Sequence, residues 1–290
     1  MTMTSRTILT LVLALALLLA GCGDGEESTT DGTSNTTVSR GRDVAPETVD
    51  DSALRDPVDV DAIEIAYGET EDELLRGYFV YPSDMVEPLP AVIVVHEWWG
   101  LNDAVRKAAT KIAEQGYMVL AVDLFQGQTA SSTADASALA RQLLETPGFA
   151  EKNLRAAHGF LTEAAGAPTV ATLGWSLGGY WAVEATRFLP DQFAAAVVYY
   201  GQPDADPDMV SAISAPGLGR YGGADRSIPA ESVRAFREQA QALDKSVEVI
   251  IYPKANHGFA NPDDSRYANR TAEQAWRRTA AFLDRYLRTS

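Results

Sequence analysis

The stretch Thr169-Val170-Ala171-Thr172-Leu173-Gly174-Trp175-Ser176-Leu177-Gly178-Gly179-Tyr180 decides the fold. Its first half is a short β-rich run, and its second half opens a helical pattern that continues to Phe188. Between them stands Gly-x-Ser-x-Gly. A serine on a strand-to-helix turn has a strained backbone and crowded neighbours, so small residues are needed on both sides. Such a turn lifts the hydroxyl to the C-terminal edge of a sheet, where open α/β folds bind ligands.

Outward from this turn the chain alternates. Val60 to Tyr67 and Leu74 to Tyr81 read as two opening strands. Ala91-Val92-Ile93-Val94-Val95 is a continuous apolar run, expected of a strand buried on both faces. A helical pattern over Asn102–Gln115 stops at Gly116, and Tyr117–Val122 is the next strand. Helical stretches at Thr133–Leu144 and Phe149–Ala164 lead into the serine turn. Beyond it, strands at Ala194–Tyr200, Gly217–Tyr221 and Val247–Tyr252 are separated by a helix at Glu231–Leu243, and Thr271–Leu287 closes the chain. The pattern predicts an α/β class with a mainly parallel sheet and helices on both faces.

The chain has 290 residues, 46% apolar and 22% charged, with a formal net charge of −16. This excludes collagen-like, disulfide-framework and wholly disordered proteins, and it argues against binding a phosphate backbone through broad electrostatics. The single cysteine, Cys22, excludes an intrachain disulfide and a cysteine-based metal cluster.

The N-terminus reads as an address. Arg6 precedes an apolar run from Ile8 to Ala20, too short to span a bilayer and of signal-peptide length. It ends in Leu19-Ala20-Gly21-Cys22, which resembles the lipobox of bacterial lipoproteins. The expected organisation is a signal peptide over 1–21, a lipidated Cys22 with a disordered Ser/Thr/Gly/Asp-rich tether over 22–57, and one domain over 58–290. Its expected location is the bacterial cell envelope, at the periplasmic or outer surface and joined to the membrane by lipid alone.

A serine hydroxyl needs a general base, and there are three histidines. His158 falls inside a helical stretch and reads as structural. His257, in Ala255-Asn256-His257-Gly258-Phe259, follows the strand ending at Tyr252 and precedes the last helix, where a base is expected. Asp225, in Tyr221-Gly222-Gly223-Ala224-Asp225, is the best acid to orient it; Asp204, Asp206 and Asp208 lie in a Pro-containing loop and rank below. The order Ser176, Asp225, His257 is that of α/β-hydrolases. In that fold the loop after the Ala91–Val95 strand and the residue after the serine supply oxyanion donors, here the amides of Trp98 and Leu177, each typically worth about 3–4 kcal/mol.

Together these residues resemble the dienelactone hydrolase family of α/β-hydrolases. The resemblance rests on His96-Glu97-Trp98-Trp99-Gly100-Leu101-Asn102, Val122-Asp123-Leu124-Phe125, Gly174-Trp175-Ser176-Leu177-Gly178-Gly179, Tyr199-Tyr200-Gly201 and Asn256-His257-Gly258-Phe259. It implies hydrolysis of esters or lactones through an acyl-enzyme, with no metal or organic cofactor and a small-molecule substrate. Glu97 would lie beside the nucleophile, and Trp99, Phe125 and Tyr199 join Trp98 as expected site-lining rings. The best-known members carry a cysteine at the position of Ser176, and they hold a substrate carboxylate with arginines. Here the matching positions fall in Gln126-Gly127-Gln128 and on Asn261. The reading is therefore a serine esterase with an uncharged, aromatic acyl pocket. The alternatives are a tethered binding protein on the same scaffold and a peptidase or lipase-like serine hydrolase.

Overall fold

A computed structural model describes residues 54–71, 73–146 and 148–288. The signal peptide, Cys22 and the tether up to residue 53 lie outside the described residues. Eight strands form one sheet in the order β1-β2-β4-β3-β5-β6-β7-β8. They are β1 (Val60–Glu69), β2 (Leu74–Pro82), β3 (Ala91–Val95), β4 (Met118–Val122), β5 (Val170–Trp175), β6 (Ala195–Tyr199), β7 (Gly217–Gly222) and β8 (Val247–Tyr252). β2 pairs antiparallel with both β1 and β4, while the strands from β4 to β8 are mutually parallel. The central strands β3, β4 and β6 are buried along their whole length, as their unbroken apolar runs require.

The helices are α1 (Asp103–Ala113), α2 (Thr133–Glu145), α3 (Phe149–Gly159), α4 (Leu177–Phe188), α5 (Pro207–Ser211), α6 (Ala230–Ala242) and α7 (Asn269–Leu287). α1 starts where the Asn102 side chain accepts a hydrogen bond from Val105 N at 3.2 Å, and it stops before Gly116, whose φ of +83° suits glycine. α1 and α7 pack on one core, built with Val92, Val94 and Ala171; α2, α3 and part of α4 pack on the other, built with Ile93, Met118 and Leu120. Alternate residues of β3 thus serve opposite layers.

The structure differs from the sequence reading in three places. The stretch read as one helix to Ala164 is an α-helix to Gly159 followed by a π-helical turn, Phe160–Ala164. The loop carrying Asp204, Asp206 and Asp208 contains the short α5, whose N-terminus Asp206 caps by accepting hydrogen bonds from Asp208 N and Met209 N. Arg55, read as tether, is tied to the body: its amide donates to Gln115 Oε1 at 3.1 Å and its guanidinium pairs with Asp284 at 3.0 Å. Val58 N adds a bond to Glu114 O.

Candidate active site

Ser176 sits between β5 and α4 with φ 52° and ψ −116°, a strained conformation for a residue bearing Cβ. Its amide is held by Tyr199 O at 2.9 Å. The flanking glycines are required by contact. A Cβ on Gly178 would stand 2.2 Å from Val95 O, and one on Gly174 would stand 2.2 Å from Gly178 O. The turn therefore packs against the end of β3 with nothing between.

Ser176 Oγ lies 3.0 Å from His257 Nε2, and His257 Nδ1 lies 2.8 Å from Asp225 Oδ2. The acid fixes the tautomer: Nδ1–H donates to the carboxylate, which leaves Nε2 to accept from the serine hydroxyl. The second carboxylate oxygen, Asp225 Oδ1, accepts from Ser227 N at 2.7 Å and Ile228 N at 2.9 Å. These bonds lock the loop after β7. The imidazole packs against the buried Tyr200 ring, with centroids 5.0 Å apart. All three side chains thus converge at the C-terminal edge of the parallel strands. His158, in contrast, is buried in α3 against Phe193, with Nε2 at 3.1 Å from Gln192 O.

The loop after β3 is built around His96. Leu124 N donates to its Nε2 at 3.0 Å, so Nδ1 carries the proton and donates to Glu97 O at 2.6 Å. Burial holds this imidazole below the ordinary histidine range. The loop then delivers Trp98 to the site. Among the described residues, the amides of Trp98 and Leu177 donate to no protein acceptor. Glu97 is buried and accepts from Asn261 Nδ2 at 2.8 Å, and the Tyr200 hydroxyl faces the same carboxyl. Burial raises the Glu97 pKa above the usual carboxylate range, against the lowering effect of Asn261 and His257.

Ser176 and His257 open into a pocket of about 60 Å³. Trp98 and Leu177 line it from the two loops, Ala140 and Leu144 from α2, Tyr180 from α4, and Gln202 and Ile228 from the strand ends. No charged side chain among the described residues lines it. The expected ring set is corrected by strand and loop geometry. Phe125 turns back onto His96, with centroids 4.7 Å apart, and lines a separate depression with Gln126. Tyr199 points to the α1/α7 layer, where its hydroxyl bonds Thr279 Oγ1 at 2.7 Å. Trp175 points the same way and lines, with Tyr199, a cavity of about 200 Å³ on the far side of the sheet. Trp99 packs edge-on against Trp98 and does not reach the pocket. The lining residues missed from sequence include Tyr180, Tyr200, Gln202, Ile228 and three from α2, Ser137, Ala140 and Leu144; Tyr180 stands one helical turn after Ser176, and Gln202 and Ile228 follow parallel strands at the same edge.

A parallel sheet with a serine elbow, helices on both faces and a histidine after the last strand is an α/β-hydrolase fold. The chain belongs to the dienelactone hydrolase family, whose profile matches residues 75–287. A candidate carboxymethylenebutenolidase of Yersinia pestis is 29% identical over 228 residues, covering 73% of this chain and 85% of the relative. One from Escherichia coli K12 is 28% identical over 242 residues, covering 75% and 84%. Among solved structures, a candidate dienelactone hydrolase of Klebsiella pneumoniae superposes with a TM-score of 0.70 at 25% identity, over 79% of this chain and all of the other. The fold and family make this chain a dienelactone hydrolase-like hydrolase.

Proposed function

We propose that the protein is a serine carboxylic-ester hydrolase acting on uncharged esters or lactones. The observation that carries this reading is the hydrogen-bonded line from Ser176 through His257 to Asp225 at the base of a pocket without charged walls. His257 Nε2 takes the Ser176 proton as Oγ attacks the carbonyl carbon. The carbonyl oxygen becomes an oxyanion within reach of the free amides of Trp98 and Leu177. Collapse of this intermediate breaks the bond to the leaving oxygen, which takes the proton from His257. Water, deprotonated by His257, then attacks the acyl-serine, releasing the acid and restoring Ser176. Asp225 keeps the imidazole in the productive tautomer throughout.

The stretch after Phe125 and the residue four beyond His257 supply no guanidinium for a substrate carboxylate. Gln126 bonds Glu73 and Asn261 bonds Glu97, and none of the four lines the pocket. Esters without a free carboxylate are therefore the favoured class. Fluorophosphonate labelling tests the assignment: the wild-type protein takes the label and Ser176→Ala does not. Equal labelling of the two rules out Ser176 as the nucleophile. Turnover of short-chain nitrophenyl esters separates an enzyme from a binding protein, which turns over none.

We further propose that the chain is a lipoprotein of the bacterial envelope, anchored through Cys22. The support is the apolar run ending in Leu19-Ala20-Gly21-Cys22. Metabolic incorporation of a fatty-acid analogue into the wild-type chain, and its loss in Cys22→Ala, is the expected result.

A further inference from the structure

The cavity of about 200 Å³ on the α1/α7 side of the sheet shares no lining residue with the catalytic pocket. Small side chains hold it open: Ala104 and Ala108, one turn apart on α1, and Ala272 on α7. Methyl groups at these places leave room that larger side chains would fill. Four rings join them. Trp175 and Tyr199 lie side by side on adjacent strands, with centroids 5.8 Å apart and planes tilted by 30°. Trp276 comes from α7 and Tyr267 from the loop after β8. The Tyr199 hydroxyl is engaged by Thr279, so this residue offers the cavity its ring. Four charged side chains also line the space: Lys107 and Lys111 from α1, Glu273 from α7 and Asp263 from the loop. All four are exposed, which places them at the mouth, and their formal charges cancel. Lys111 Nζ stands over the Trp276 ring, 4.7 Å from its centroid.

We propose that this cavity is a second binding site, separate from the catalytic pocket, for a small uncharged aromatic molecule of one or two fused rings. Volume sets the size. An apolar cavity of about 150 Å³ takes benzene, so the larger space here admits a second ring. The walls set the class. Trp175, Tyr199, Tyr267 and Trp276 offer faces and edges for offset and edge-on contact, which a saturated ring of the same size cannot use. The mouth sets the charge. A ligand carboxylate would be drawn to Lys107 and Lys111 but repelled by Asp263 and Glu273, and a ligand ammonium would meet the reverse. Either ion would lose hydration without a net attraction. A neutral ring with a hydroxyl or N–H at one edge leaves that group at the wet mouth and buries the rest, as small-molecule sites generally do. The proposal stands on this cavity and does not rest on the serine-esterase reading of Ser176.

The test is titration calorimetry of the full chain with naphthol, with its saturated counterpart decahydronaphthol, and with naphthoate and naphthylmethylamine as charged analogues. Each variant is checked for folding by thermal unfolding. The wild-type protein is expected to bind naphthol with a Kd on the order of tens of micromolar. Decahydronaphthol should bind about tenfold more weakly. Ala108→Phe fills the cavity and should lower naphthol affinity by about tenfold or more. Trp276→Leu removes one ring and should lower it by about three- to tenfold. Ala140→Phe obstructs the catalytic pocket instead and should bind naphthol as the wild type does. No binding of naphthol up to about 1 mM overturns the proposal. So does unchanged affinity in Trp276→Leu, a result that counts even if Ala108→Phe does not fold. Binding lost in Ala140→Phe and kept in Ala108→Phe places naphthol in the catalytic pocket and also overturns it. Either charged analogue binding tenfold tighter than naphthol overturns the uncharged class. None of these measurements needs turnover, so their failure leaves the esterase reading untouched.

Discussion

Asn261 donates its side-chain amide to the buried carboxyl of Glu97 at 2.8 Å, joining the loop after the candidate base to the loop after β3. A neutral donor gives Glu97 one hydrogen bond without a compensating full charge. Burial is the larger effect, and it raises the Glu97 pKa.

The folded state therefore binds a proton to Glu97 at pH values where the unfolded chain has released it. Stability on this account falls as pH rises from the ordinary glutamate value, about 4.3, through the raised folded value. Glu97→Gln keeps an oxygen for Asn261 and removes the titration. It should melt about 2–4 °C higher than wild type at pH 8, the shift that one kcal/mol produces in a domain of this size. At pH 4 the two should melt together. An equal difference at both pH values would contradict this account.

His96 works in the opposite sense. Its folded pKa is lowered by burial, so the unfolded chain binds the extra proton first. This contribution to stability is present above the ordinary histidine value, about 6.5, and is lost as pH falls below it. His96→Phe should abolish that pH dependence. It should also cost about 1–3 kcal/mol by stranding Leu124 N–H, and it should lower kcat by loosening the loop that carries Trp98. Urea unfolding across pH 5 to 8 reads the first two effects, and steady-state kinetics reads the third.

Asp225 has two jobs that one substitution separates. Asn at this position keeps Oδ1 for Ser227 N and Ile228 N but cannot fix the tautomer of His257. Asp225→Asn is expected to fold with near wild-type stability and to lose kcat by about 10⁴-fold, the size of the comparable loss in serine proteases. Asp225→Ala should lose the loop bonds as well and melt lower. If Asp225→Asn retained full activity, the acid role would pass to another residue.

Two glycines give opposite results for the same added methyl. Gly178→Ala drives a Cβ toward Val95 O and His96 O, and it should either fail to fold or lose about 4 kcal/mol or more. Gly159 ends α3 with nothing within 4 Å of the place an alanine methyl would occupy, so Gly159→Ala should gain about 0.5–1 kcal/mol. Chemical denaturation of the two variants measures both.

The strands of the sheet could be read from the sequence because buried parallel strands carry apolar runs. β3 matches its expected span at both ends, and so does β8, where Glu248 is the only charged residue. The serine, histidine and aspartate could be read because each follows a strand at the same edge. The pocket could not. Side-chain direction at a strand end turns on a single residue of register, and this sends Trp175 and Tyr199 to the α1/α7 face while Ser176 stands at the rim. Phe125 could not be placed from sequence either, because its direction depends on His96 lying beneath it. The π-helical turn after Gly159 and the short α5 escaped for a local reason: one is a shift of hydrogen-bonding partner inside a helical pattern, and the other is a single capped turn beside prolines.

Arg55, Val58 and the C-terminal ends of α1 and α7 meet at the pole of the sheet where the parallel strands begin. Ser176 and His257 stand at the other pole, where those strands finish. Anything upstream of residue 54 that is fixed to a surface would thus hold the body by its base. The mouth of the pocket opens at the pole opposite the one where the described chain begins.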